Sequence, residues 1–135
     1  MVGRARRATL DSALFLGAGA EERQMGSEFI ATDVFGRNVV ATTKTWFDHI
    51  AKRHPEMAGQ ERRVKDAIQN PETVSQGNTP SHRVFAGHRI QGSGFAYGGK
   101  RVVAVVRYDP AENGYLTTAY MTTLDPPGKV LWTRR

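Results

Sequence analysis

Four histidines, 19 Lys and Arg residues and no cysteine set the range of chemistry open to this 135-residue chain. His49 and Arg53 stand four positions apart, so on a helix they share one face, with Trp46 three residues before His49 and near that face. An imidazole passes protons near neutral pH, and a guanidinium beside one favours its neutral, basic form. The plain alternative for His49 is a ring packed at a helix–sheet boundary. His54 follows His49 by five residues, roughly 140° around a helix of 3.6 residues per turn. The two reach one ligand only if the helix end lies over a sheet edge. Alternatively, Arg53-His54-Pro55-Glu56 is a helix terminator, with His54 bonding the last carbonyls.

The second group of candidates lies on strand-like segments. Between Arg101 and Tyr108, Val102, Ala104, Val106 and Tyr108 alternate with Arg101, Val103, Val105 and Arg107. The first set is the better core face. Arg101 and Arg107 then flank the other face, where they suit phosphate or are simply solvated. Arg83, on an earlier strand, is a similar candidate, while His82 and His88 read as surface histidines. In the last long strand Leu116, Thr118, Tyr120 and Thr122 share a face and offer a row of hydroxyls, although threonine is also a plain strand former. Gly98-Gly99-Lys100 follows Gly92-Ser93-Gly94 but lacks the strand–loop–helix setting of a phosphate loop; Lys100 at a hairpin tip can still touch a phosphate backbone. No HExxH, carboxylate cluster or calcium loop is present, so neither a metal nor a cofactor is expected.

The net charge of +6 and a sequence pI near 10.1 favour anionic partners, with nucleic acid first, an acidic protein or membrane surface next, and a merely solvated basic surface as the bland reading. Without cysteine, disulfides, thiol catalysis and Cys-ligated zinc are excluded. No apolar run approaches the roughly 20 residues of a membrane span. Arg4, Arg6 and Arg7 before Ala13-Leu14-Phe15-Leu16 imitate a signal peptide, but Asp11 and Ser12 interrupt it. Residues 1–26 are therefore read as a basic arm or helix, and 27–135 as one domain.

The elements that must position these groups come from pattern. Residues 28–32 and 37–41 are short strands around the turn Asp33-Val34-Phe35-Gly36. A helix capped by Thr42 or Thr43 carries Trp46, Phe47, Ile50 and Ala51 and ends at Pro55; a second, over 60–70, has Val64, Ala67 and Ile68 as its stripe and stops before Pro71. Strand signals occupy 82–86, 89–97, 101–108 and 115–123, with Asn113-Gly114 as a hairpin turn and 130–132 as an edge piece. The class is α+β: N-terminal helices on one face of a roughly four-stranded antiparallel sheet, the other face open for a ligand.

Three stretches stand in a telling order: Trp46-Phe47-Asp48-His49-Ile50-Ala51-Lys52-Arg53-His54-Pro55-Glu56, then Ile68-Gln69-Asn70-Pro71-Glu72-Thr73-Val74, then Tyr115-Leu116-Thr117-Thr118-Ala119-Tyr120-Met121-Thr122. This order resembles phage- and toxin-associated members of the barnase–EndoU–colicin–RelE nuclease superfamily, over about residues 44–123. The resemblance implies a metal-independent endoribonuclease, often a toxin restrained by an acidic immunity or antitoxin protein. Its substrate would be RNA, tRNA among the options, in the cytoplasm of its own cell or of a target cell. Cleavage would proceed by attack of the 2′-hydroxyl and leave a cyclic phosphate. His49 would serve as base or acid, Arg53 with Arg101 or Arg107 would hold phosphate, Thr118 and Tyr120 would orient it, and His54, Arg83 and Lys100 would contact substrate. The alternative is a non-catalytic RNA-binding or phage accessory module on the same fold.

Overall fold

The computed structural model describes residues 26–91, 98–110 and 113–134; the expected basic arm and the centre of the expected 89–97 strand lie outside these. Strands β1 (Ser27–Thr32) and β2 (Asn38–Thr42) form the first hairpin. Its turn is built by Asp33, whose carboxylate accepts the N–H groups of Phe35 and Arg37 at 2.8 and 2.9 Å. Gly36 sits at φ 86°, a conformation a side chain would strain.

Thr42 caps the helical run 43–53, α1, its hydroxyl accepting from the Thr45 N–H at 3.1 Å. This run is not the plain α-helix the spacing predicts. Thr43–Thr45 and Ala51–Arg53 are α-helical, and Trp46–Ile50 between them is a π-turn closed by the Ala51 N–H on the Trp46 carbonyl. A 3₁₀ turn, Pro55–Met57, leads to α2 (Glu61–Gln69), which buries Val64, Ala67 and Ile68 as its stripe requires.

Strands β3 (Thr73–Gln76), β4 (His82–Ala86), β5 (Arg101–Tyr108), β6 (Gly114–Thr122) and β7 (Val130–Thr133) complete a seven-stranded sheet ordered β1-β2-β6-β5-β4-β3-β7. The sequence pattern predicts about four antiparallel strands. The sheet is larger and mixed because β2 adds to β6 in parallel, at Val39↔Gly114 and Val40↔Tyr115, and β7 adds to β3. Burial drives the first addition, since Val39 and Ala41 are fully enclosed. Close approach allows the second: a side chain at Gly128 would clash with the Gln76 carbonyl oxygen. No separate strand occupies the described part of 88–100, where the Ile90 N–H donates to the Lys100 carbonyl and the Gly99 N–H donates to the Ile90 carbonyl.

The two helices cover one face of the sheet. There Trp46, Ile50, Met57, Val64 and Ile68 meet Val74, Phe85, Val102, Ala104, Val106, Leu116 and Ala119. Each large side chain enclosed here contributes about 1.5–3 kcal/mol. The second face is only in part the open surface that the pattern predicts: Ser75, Ala86, Arg101 and Val103 on it are buried, whereas Val84, Val105, Thr118 and Tyr120 are half-buried and Arg107 is exposed. A bulge at Thr117, whose hydroxyl bonds the Val105 carbonyl at 3.0 Å, corrects the hydroxyl row too. Leu116 opposes Val106 in the core, whereas Thr118, Tyr120 and Thr122 oppose Val105, Val103 and Arg101 on the second face. The extra residue breaks the strict alternation that would place Leu116 with them. No helix among the described residues is long and apolar enough to cross a membrane.

Candidate active site

The site is built where α1 borders β6. Strand β2 pairs with β6 only as far as Tyr115; past that point, among the described residues, β6 has β5 alone as a strand partner. The chain turns from β2 into α1 at Thr42, and residues of the π-turn and the 3₁₀ turn lie along this exposed length of β6. The end of α1 therefore reaches the sheet edge.

There the His54 and Tyr120 rings meet, centroids 5.7 Å apart and tilted by 37°. The His54 backbone leaves helical geometry at φ −128°, ψ 78° while its N–H bonds the Ile50 carbonyl at 2.8 Å. The main chain thus performs the termination that the sequence offers as an alternative role for this residue, and the side chain is left for Tyr120. Pro55 fixes the next turn, and the fully buried Met57 anchors it. The same turn brings the Glu56 carboxylate to 3.8 Å from His54 Nδ1, with both side chains about one-third exposed. Glu56 is a functional candidate that spacing on a helix does not flag; its signal is a carboxylate two residues after a histidine across a proline.

His49 is half-buried on the π-turn and Arg53 is exposed in the last turn of α1; neither side chain bonds another group among the described residues. Wide π-turns occur frequently at functional sites. Thr118 and Tyr120 are half-buried on the second face, while the Thr122 hydroxyl is engaged by the Leu124 N–H at 3.0 Å. The arrangement is an imidazole with a carboxylate 3.8 Å from one nitrogen, longer than a hydrogen bond, and a phenol against its ring, which makes His54 a candidate proton-transfer group.

The arginines are not gathered at this edge as expected. Arg101 opposes Thr122 and is close in register, but its guanidinium is enclosed between Glu72 and Asp125, each at 3.4 Å. Arg107 lies four residues of β5 beyond the partner of Tyr120, about 13 Å at the usual strand rise. It is exposed and lies over the Tyr115 ring at 5.5 Å. Arg83 opposes Val106 and so projects on the helix-covered face, away from Arg101 and Arg107; strand register, not distance, removes it from their company. Lys100 is half-buried just before β5.

A second cluster has no signature in the spacing of the sequence. The Tyr108 hydroxyl donates to the buried Asp33 carboxylate, and burial together with that carboxylate pushes the phenol far above its ordinary value. Arg37 and Arg83 both lie over the Tyr108 ring, at 4.7 and 5.3 Å, and Arg83 also lies over Phe35 at 4.9 Å. Among the described residues no group of three His, Asp or Glu side chains is placed to hold a metal ion.

No protein-family model, no curated protein and no solved structure matches this chain.

Proposed function

We propose that the chain is an endoribonuclease of the type its motif order resembles, working without a metal ion and using the α1–β6 edge as its active site. The observation that carries the reading is the His54 ring against Tyr120, with Glu56 beside Nδ1. A carboxylate at one ring nitrogen leaves Nε2 to face substrate as the base. His54 takes the proton of a ribose 2′-hydroxyl, whose oxygen then bonds to the adjacent phosphorus. The bond from phosphorus to the 5′-oxygen of the next nucleotide breaks, and that oxygen leaves with a proton from Tyr120 or His49. The products are a 2′,3′-cyclic phosphate and a free 5′-hydroxyl. Arg53 and the Thr118 hydroxyl stabilise the charge growing on the phosphoryl oxygens. The net charge of +6 draws RNA to the protein and equally suits an acidic inhibitor.

Incubation with total RNA in excess EDTA tests this. Cleavage with cyclic-phosphate ends, lost in His54→Ala and weakened in His49→Ala at unchanged melting temperature, is the expected result. Intact RNA, or cleavage that survives His54→Ala, overturns it. The separation of Arg107 from His54 favours a second reading, a binding module without catalysis, which predicts salt-dependent RNA binding and no product.

A further inference from the structure

Arg101, enclosed beside the His54 edge, shares a carboxylate with a second arginine. We infer that Arg89 and Arg101 form a phosphate subsite, which Asp125 fills in the free protein and a phosphodiester of a bound single strand takes over. The inference rests on the nuclease reading for its ligand and deepens it by naming where a phosphate next to the scissile one is held.

Each guanidinium is anchored through one nitrogen and presents another to the same atom. Arg89 Nη1 donates to the Gly99 and Thr123 carbonyls at 2.9 and 3.1 Å, and its Nη2 lies 3.7 Å from Asp125 Oδ1. Arg101 Nη2 lies 3.4 Å from Glu72 Oε1, and its Nη1 lies 3.4 Å from that same Asp125 oxygen. Nitrogens of two held arginines therefore converge on one anionic oxygen. Charge-assisted N–H···O bonds close to about 2.7–2.9 Å, so Asp125 fits both nitrogens loosely. Its side chain is 77% exposed, whereas that of Arg101 is 8% exposed and keeps a buried Nε without a partner. The buried cation is short of acceptors, and the acceptor at its Nη1 already stands largely in water. Exposed carboxylates in ion pairs contribute little to stability, so little holds Asp125 in place against a competing anion.

A phosphodiester answers this arrangement better than the tethered carboxylate. It offers a separate oxygen to each nitrogen and can close to hydrogen-bond length on both. It carries a single negative charge, as the Asp125 carboxylate does, so the exchange leaves the charge of the site unchanged. Glu72 stays on Arg101 Nη2, and the Leu124 N–H on the Thr122 hydroxyl keeps the turn before Asp125 in place. The position also suits the ligand. Arg101 opposes Thr122 and Val103 opposes Tyr120, both pairs lying clear of the bulge at Thr117. Arg101 and Tyr120 are therefore diagonal neighbours on the second face, about 7–8 Å apart in a regular antiparallel pair. The His54 ring lies against Tyr120, so the subsite stands one step along the sheet from the proton-transfer group.

The experiment uses the full chain and a fluorescein-labelled 2′-O-methyl decanucleotide, which has no 2′-hydroxyl to react, read by anisotropy over a salt series. Asp125→Asn removes the internal competitor. It is expected to bind roughly five- to tenfold tighter than wild type, with the salt slope steeper by about one, because the arginines then release a solvent anion on binding. Asp66→Asn makes the same charge change on the exposed side of α2, across the sheet, and is expected to leave affinity and slope near wild type. Arg89→Gln is expected to weaken binding roughly tenfold and to lower the slope by about one. If Arg89→Gln fails to fold, the comparison of Asp125→Asn with Asp66→Asn still decides. The inference is overturned if Asp125→Asn does not bind, or gains no more than Asp66→Asn, or if folded Arg89→Gln keeps wild-type affinity. A gain by Asp125→Asn toward poly-L-glutamate alone also overturns it, since the arginines would then take carboxylates and not phosphodiesters. Cleavage of a ribo-oligonucleotide by wild type judges the nuclease reading separately.

Discussion

The two ends of β5 carry the same residue type on the same face and treat it in opposite ways. Arg101 has only 8% of its side chain exposed, lies between Glu72 and Asp125, and keeps a buried Nε without a partner. Arg107 is exposed and stacked over Tyr115. What separates them is the chain that flanks each end. Pro71 stops α2 so that Glu72, just before β3, stands beside Arg101, and the loop after β6 brings Asp125 to the same guanidinium. Near Arg107 lies the ring of Tyr115, its partner across the strand. The end with neutralised charge also holds His54, Tyr120 and Glu56. The contrast teaches a separation of surroundings: paired charge beside His54, Tyr120 and Glu56 at one end, an exposed guanidinium over a ring at the other.

The largest test of that separation is catalytic. His54→Ala should lower RNA cleavage by about a hundredfold or more, the usual contribution of a positioned acid or base. Glu56→Gln should cost less, roughly tenfold, because it changes the orientation of His54 while leaving the ring in place. Initial rates for the three proteins, read beside their melting temperatures, decide it; a loss in Glu56→Gln that follows a lowered melting temperature would reduce Glu56 to a folding role.

Next in size is the stability contrast between the arginines. Arg101→Gln should destabilise the protein by about 1–3 kcal/mol, since a buried, charge-assisted pairing is lost. The cost stays below that of a fully buried pair because Glu72 and Asp125, 46% and 77% exposed, return to water. Arg107→Gln should fall within about 0.5 kcal/mol of wild type, as exposed substitutions usually do. Urea unfolding of both variants measures the difference, and equal midpoints would dissolve the distinction between the two ends.

The stacked end has its own anchor in Tyr108. Tyr108→Phe should cost about 1–3 kcal/mol by leaving the buried Asp33 carboxylate short of one donor. It should also change the alkaline behaviour. The phenol is held protonated in the fold, so the folded state keeps its proton after the unfolded chain, with its ordinary value near 10, has lost it. This stabilisation is complete below about pH 10 and falls away as pH rises above that value. Urea midpoints from pH 8 to 11 should fall less steeply in the phenylalanine variant, and parallel curves would show that Asp33 does not depend on this hydroxyl.

Much of this is legible in the sequence, and the failures share a cause. The hairpin turn at Asp33, the Thr42 cap, the α2 stripe and the core alternation of Val102, Ala104, Val106 and Tyr108 are all local patterns, and each is present in the fold. The errors arise where distant segments decide. Alternation on β6 cannot reveal the bulge at Thr117, and the spacing of α1 cannot reveal its π-turn. The parallel joint of β2 to β6 and the addition of β7 depend on neighbours far along the chain. The arginines show the same limit: type and spacing give Arg83, Arg101 and Arg107 one role, whereas register and partner charges give them three surroundings. His54 against Tyr120 is foreseeable only as a condition, a helix end over a sheet edge, which the free length of β6 meets.

The smallest expected effect concerns a like-charge contact away from both ends. Glu28 on β1 meets Glu61 at the start of α2, and the shared hydrogen bond and repulsion hold the Glu28 carboxyl above the usual glutamate value. Its protonated form is favoured by folding, so this contribution is present at low pH and is lost as pH rises through the raised value. At neutral pH the pair opposes folding. Glu61 sits in the first turn of α2, where its charge suits the helix dipole, so Glu28 is the member to neutralise. Glu28→Gln should raise the melting temperature slightly at pH 7 and leave it unchanged at pH 4. A gain from Glu28→Gln that persists undiminished to pH 4 would mean that packing, and not charge, sets the effect.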